Sequence, residues 1–255
     1  MELIAEGNTI PHPAKLDTGG EDRFLIDEKN NMCVVADGVG GWDILGVDPG
    51  IFTHKLLENC KSVVSKNPKY SPLQIMQEAY DQLLKTNCEG SCTCCIVKLY
   101  NENNKTILKY ANLGDSGFRV IRGNKLLFRS KEQCKMFNFP YQLGSNGRGY
   151  ADTPDQSDEG EINLENGDII IMGTDGLFDN VFDDDLVSRC IEQKENTNDK
   201  KKIVSTCVME LCKYAQNISI SRTAETPFGF NAARAALNWP GGKEDDITVV
   251  AIQYK

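Results

Sequence analysis

The stretch Val34–Trp42, VVADGVGGW, decides how this chain is read. The apolar run Met32-Cys33-Val34-Val35-Ala36 predicts a buried strand. It stops at Asp37, and Gly38, Gly40 and Gly41 crowd the next positions. An acid at the end of a rigid strand is held in place. The glycines let the backbone turn tightly and let a ligand approach the carbonyls. Hard divalent cations take carboxylate and carbonyl oxygens at about 2.0–2.6 Å. Asp37 is therefore a candidate metal ligand, and the Gly38 carbonyl a second. An ordinary Asp-Gly turn would read the same way; what separates the two is that the pattern recurs.

It recurs in Ile169–Asn180, IIIMGTDGLFDN, where an apolar strand runs into Thr174-Asp175-Gly176. In Gly114-Asp115-Ser116-Gly117 an acid again stands between glycines at a strand end. Near the C-terminus, GGKEDDITVVAIQY places Glu244, Asp245 and Asp246 just before a strand. Glu21-Asp22 opens the strand Arg23–Ile26, which a polar turn at residues 27–31 joins to the Asp37 strand as an antiparallel hairpin. Asp37, Asp175 and Asp245 or Asp246, with Glu21 or Asp22 behind them, are thus expected to form one acidic cluster. Clustered carboxylates raise each other's pKa unless a cation neutralises them. An oxygen-rich set with few nitrogens suits Mg²⁺ or Mn²⁺. Two such ions about 3.5–4 Å apart can activate a water for in-line attack on phosphorus. His12 and His54 are the two histidines, too few for a zinc-type centre.

Between these motifs, residues 1–20 read as an extended lead-in. One helix is expected from about Pro49, with Phe52, Leu56, Leu57, Cys60 and Val63–Val64 on one face. A second starts at Ser71-Pro72, where Gln74 completes a capping box. Residues 91–130 read as strands Ser91–Tyr100, Thr106–Leu113, Phe118–Arg122 and Lys125–Arg129. Residues 133–161 read as a long polar loop, and loops of that length are usually functional. Helical segments follow near Asp185–Gln193, Lys200–Gln216 and Ala224–Leu237. Helices segregated from antiparallel strands predict an α+β fold with sheet packed on sheet.

The chain has 255 residues, 40% of them hydrophobic and 25% charged, as globular proteins do. A net charge of −9 argues against a nucleic-acid surface. It does not exclude phosphorylated substrates if bound cations invert the local field. Cys88, Cys92, Cys94 and Cys95 lack the paired spacing of a zinc site and read as small hydrophobes of a strand in a reducing compartment. No signal peptide, basic presequence or apolar run of transmembrane length is visible.

The segments GEDRF, VVADGVGGW, ANLGDSGF, GTDGLFDN and GGKEDDITV, in that order from Gly20 to Val249, resemble the motifs of the metal-dependent type 2C serine/threonine protein phosphatases. DGVGGW followed by GVDP, FNFPYQL at Phe137–Leu143, and GTDGLFDN resemble the branch with mitochondrial and plastid members. The resemblance implies a four-layer α-β-β-α sandwich with two central antiparallel sheets, a single catalytic domain over residues 1–255, and two Mn²⁺ or Mg²⁺ ions. Asp37 would bridge both ions and Gly38 would give one a carbonyl. Asp175 and Asp245 would complete the other, with Glu21 opposite and Asp22 holding a metal-bound water. Asp115 would match a weaker third site. Asp246 stands where many members have Asn, and the two neighbours are open to exchange roles. The implied catalytic residues are Asp37 and Asp175.

Three positions depart from the family. Val39 replaces a His proposed to protonate the leaving oxygen, Gly117 replaces Arg, and Asp17 stands where a phosphate-binding Arg is expected. Lys15 is the candidate to take over as that cation, ahead of Arg23. The implied substrates are phosphoproteins, cleaved by a monomer, with residues 133–161 as the substrate-facing flap. The expected location is intracellular, cytoplasmic, or mitochondrial if a targeting segment precedes this chain. Two rivals stay open. One is a catalytically silent phosphoprotein-binding module, motivated by the missing His and Arg. The other is a haloacid-dehalogenase-type phosphatase, which needs an Asp at position 173, where Gly stands.

Overall fold

The hairpin around Asp37 forms as its sequence predicts. In the computed structural model, which describes residues 2–145 and 151–255, β2 (Arg23–Asp27) pairs antiparallel with β3 (Met32–Ala36). Every side chain of β3 is buried, and the two faces of the strand go to different cores. Val34 and Ala36 pack outward on helices, whereas Cys33 and Val35 pack inward on a second sheet.

Those helices are α1 (Pro49–Lys66) and α2 (Pro72–Leu84). Asp48 caps α1 by accepting from the Gly50 N–H (2.8 Å), and Pro49 takes the first turn. Ser71 and Gln74 close the expected capping box on α2. Beyond them lie β4 (Ser91–Cys92), β5 (Cys94–Glu102), β6 (Lys105–Leu113), β7 (Gly117–Arg122) and β8 (Lys125–Arg129). Three short strands follow: β9 (Cys134–Met136), β10 (Phe139–Pro140) and β11 (Leu143–Gly144). Then come β12 (Asp158–Leu164), β13 (Ile169–Gly173), α3 (Asp175–Phe178), α4 (Asp183–Glu195), α5 (Lys200–Ser219), α6 (Pro227–Arg234) and β14 (Ile247–Tyr254).

Among the described residues two five-stranded sheets form, β12-β6-β5-β3-β2 and β1-β14-β13-β7-β8, where β1 is Leu3–Ile10. Cys95, Val97, Leu108 and Tyr110 of the first meet Phe118, Val120, Ile170 and Val250 of the second. On the far side of the second, Ile169, Ile171 and Val249 pack on Leu186, Val204, Val208 and Leu211 of α4 and α5. The layers therefore run α-β-β-α, as expected.

Three expectations change. Residues 1–20 are more than a lead-in, because Leu3–Ile10 pairs with β14 along its full length. Its sequence, LIAEGNTI, alternates poorly, and its partner comes from the far end of the chain, so no local signal marks it. The 133–161 loop carries β9, β10 and β11 and ends in β12, which pairs with β6 over seven residues. With Asp158, Glu159 and Glu161 on an edge strand, β12 hides its period behind charge. The Ser91–Tyr100 strand breaks at Thr93, which leaves the ladder to hold Asp37. Helical bounds shift by a few residues near α4 and α6. Among the described residues no helix is long and apolar enough to cross a membrane, and the cysteines are free thiols, with Cys92, Cys94 and Cys95 fully buried.

Candidate metal centre

Antiparallel pairing brings the acid-bearing strand ends to one end of the sandwich. Arg23 pairs with Ala36, so Asp22 at the start of β2 meets Asp37 at the end of β3. Gly173 pairs with both Gly117 and Val249, which gathers Asp175 after β13, Asp115 before β7 and Asp245–Asp246 before β14. Asp37 feels the carboxylates of Asp22, Asp175, Asp245 and Asp115, and is in side-chain contact with Asp175. The predicted cluster is a spatial one.

The backbone around Asp37 is fixed on both sides by Thr93. The Asp37 N–H donates to Thr93 Oγ1 (3.1 Å), and the Thr93 N–H donates to the Asp37 carbonyl (2.9 Å). Gly38 is bridged to Cys92, and a Cβ there would lie 3.0 Å from the Glu21 carbonyl oxygen, so glycine fits the space. Val39 donates its N–H to the Ser91 carbonyl and brings no acid or base. Asp22 is buried and accepts from Thr174 Oγ1 (2.7 Å).

Asp245 and Asp246 separate cleanly. Asp246 is buried, and its two oxygens accept from the His12 N–H (2.6 Å) and the Glu21 N–H (2.7 Å). It ties the N-terminal segment to β14. Asp245 faces the cluster with Oδ2, 3.2 Å from Lys243 Nζ.

Among the described residues no three His, Cys, Asp or Glu side chains stand as a ready-made metal cage. The carboxylates gather instead around two ammonium groups. Lys243 Nζ contacts Asp175, Asp179 (2.9 Å) and Asp245 (3.2 Å). Lys15 Nζ lies 2.6 Å from Glu21 and 3.8 Å from Asp246. Lys15, the candidate substitute cation, therefore lies beside Glu21 and Asp246 and is engaged with Glu21. Arg23 turns its guanidinium onto the carbonyls of Gly20 and Asp22.

The electrostatics follow from this packing. Burial, then the neighbouring carboxylates, pushes the Asp37, Asp22 and Asp115 carboxyls well above the usual range. Asp179 is pushed up to about 7 and Asp245 to about 6, burial leading in both. Burial, the largest influence, would raise Asp175 too, but the Lys243 ammonium, the Asp37 side chain and the Gly176 N–H together outweigh it and hold that carboxyl below its ordinary value. Three buried oxygens, Asp22 Oδ1, Asp115 Oδ1 and Asp175 Oδ1, have no hydrogen-bond partner among the described residues. Orphaned buried carboxylate oxygens are costly. Their chemistry, oxygen donors with negative charge in excess, fits a hard divalent cation.

A cavity of about 320 Å³ opens beside Asp115, Asp175 and Asp179, walled by Met136, Phe137 and Phe228. Met136 and Phe137 come from the segment expected to face substrate; its residues 146–150 lie outside the described residues. Lys243, Asp179 and Asn180 join the site without having been expected there. Asp179 had a signal, since it stands four residues after Asp175 on a helical turn, and i,i+4 side chains share a face. Lys243 had one too, as a lone cation set against three acids in GGKEDD.

Residues 27–255 match the family model described as Stage II sporulation protein E (SpoIIE). The chain is 36% identical over 252 residues to "Probable protein phosphatase 2C 55" of Arabidopsis thaliana, covering 98% of this chain and 51% of that protein. It therefore spans about half the length of that relative. The X-ray structure of the photosystem II phosphatase PBCP superposes with a TM-score of 0.87 at 30% identity, covering 99% of both chains. The catalytic domain of the serine/threonine phosphatase PstP, in complex with two manganese ions, shares the fold at a TM-score of 0.65 and 14% identity, over 99% of this chain and 98% of that one. The chain belongs to the type 2C family of metal-dependent protein phosphatases.

Proposed function

We propose that residues 1–255 form one catalytic domain that hydrolyses phosphoserine and phosphothreonine in phosphoproteins, acting as a monomer with two Mn²⁺ or Mg²⁺ ions. The observation that carries this reading is the convergence of Asp22, Asp37, Asp115, Asp175 and Asp245 at one end of the sandwich, with buried oxygens left unpartnered. The PstP domain with two manganese ions supports the choice of metal. Asp37, the Gly38 carbonyl, Asp175, Asp245 and Glu21 would hold the ions, with Asp115 at the cavity side for a third. When bound, the ions supply positive charge for the phosphoryl oxygens and a nucleophilic water.

The chain's own residues do the positioning. Thr93 fixes the direction of Asp37, and Thr174 fixes Asp22 in the layer behind it. Asp246 sets the place of Glu21 through that residue's backbone N–H. Lys15, now paired with Glu21, would be the cation available to a phosphate oxygen if Glu21 held a metal. With Val39 where the family's His would stand, the leaving oxygen takes its proton from another source. With most of its cysteines buried as thiols, a reducing intracellular compartment suits the chain.

The test is turnover of a phosphothreonine peptide. Mn²⁺ or Mg²⁺ is expected to support hydrolysis, EDTA to reduce it to background, and re-addition of metal to restore it. Turnover that survives EDTA in full, or no turnover with either ion, contradicts the proposal.

A further inference from the structure

Lys243 is a buried charged side chain to which the family motifs give no role. Its Nζ contacts Oδ2 of Asp175, Asp179 and Asp245 at once. Its backbone cannot shift, because Asn180 grips both sides of the peptide. The Lys243 N–H donates to Asn180 Oδ1 (2.9 Å), and Asn180 Nδ2 donates to the Lys243 carbonyl (2.9 Å). Asn180 Nδ2 also donates to the Gly176 carbonyl, which ties this clamp to the turn after Asp175. Only the side chain is free to move. The ammonium already stands over the ring of Phe228, 5.1 Å from its centre, so cation–π attraction can hold it on that side when the carboxylates let go. The other oxygen of Asp175, Oδ1, is buried and unpartnered.

We propose that Lys243 is a resident counter-cation: its ammonium binds Asp175, Asp179 and Asp245 together when no metal is present, opposes the entry of a divalent ion, and so sets the metal affinity of the site. This rests on the reading of the cluster as a metal centre. Three carboxylates around one ammonium satisfy each other at short range, and a second cation brought to the same oxygens meets its charge at low effective dielectric. Entry of metal therefore requires the ammonium to let go of these oxygens, towards Phe228. A purely structural lysine would behave differently, since its loss would weaken the fold and the metal site together.

The experiment measures Mn²⁺ binding by calorimetry and thermal unfolding on wild type, Lys243→Met and Lys243→Arg, with and without Mn²⁺. Lys243→Met is expected to bind Mn²⁺ roughly tenfold tighter or more. Its metal-free midpoint is expected to fall by roughly 5–10 °C, because three buried carboxylates lose their partner, and Mn²⁺ is expected to restore it. Lys243→Arg keeps the charge and is expected to stay within about threefold of wild type in affinity. Equal or weaker Mn²⁺ binding by a folded Lys243→Met overturns the inference, as does tightening by Lys243→Arg to the same degree. If no variant binds Mn²⁺, wild type included, the metal-centre reading itself fails.

Discussion

Asp37→Asn is expected to lower metal-dependent phosphopeptide turnover by about a thousandfold, yet to leave the metal-free protein at least as heat-stable as wild type. The two halves have one cause. The Asp37 backbone is held by two hydrogen bonds to Thr93, and neither uses its carboxylate. Asparagine keeps the shape and removes the charge. In the metal-free protein that charge is a liability, because Asp22, Asp175, Asp245 and Asp115 all repel it. With metal it would be a ligand at the proposed centre, and every loss of about 1.36 kcal/mol of charge stabilisation would cost tenfold in rate. Initial rates at saturating Mn²⁺ and a thermal melt in chelator check both halves. A variant within tenfold of wild-type turnover would remove Asp37 from the mechanism. A sharp loss of metal-free stability would mean that its carboxylate is structural.

Gly176→Ala has the largest expected effect on the fold. A Cβ at this position would sit 1.9 Å from the Asp246 carbonyl oxygen and 3.3 Å from Ile247 Cα. Both are backbone atoms at the start of β14, so no side chain can swing aside. Either α3 lifts off the sheet or β14 loses its first rungs, and Asp175 and Asp245 part in both cases. Overpacking usually costs about 1–3 kcal/mol, and a clash with fixed backbone belongs at or above the top of that range. Urea unfolding is expected to show a loss of at least about 3 kcal/mol, with weaker Mn²⁺ binding alongside. A change below about 0.5 kcal/mol would show that the helix and strand ends do not approach as closely as described.

What could be read in advance divides along physical lines. The β2–β3 hairpin, α1 and α2 were legible because their signals are local: a capping box at Ser71–Gln74, a stripe from Phe52 to Val64, a polar turn at residues 27–31. The acids were legible as a set because each stands at the end or start of an apolar run, with glycine close by in the sequence. β1 was not, since its pairing with β14 joins the two ends of the chain. β12 was not, since charge on an edge strand masks its period. The different partners of Asp245 and Asp246 needed coordinates. Adjacent side chains point apart, and only the backbone N–H groups of His12 and Glu21 show which carboxylate is already engaged. Lys243 escaped because a lysine among acids reads as an ordinary surface pair until its burial is known.

Hard cations seated among Asp37, Asp175 and Asp245 are the centre of the proposed mechanism. Anomalous scattering from a crystal grown with Mn²⁺ tests this most directly. The account predicts two strong manganese peaks at that end of the sandwich, within bonding distance of Asp37, with Asp175 and Asp245 turned toward one of them. A well-ordered crystal with Lys243 still spanning Asp175, Asp179 and Asp245, and no manganese beside Asp37, would contradict it.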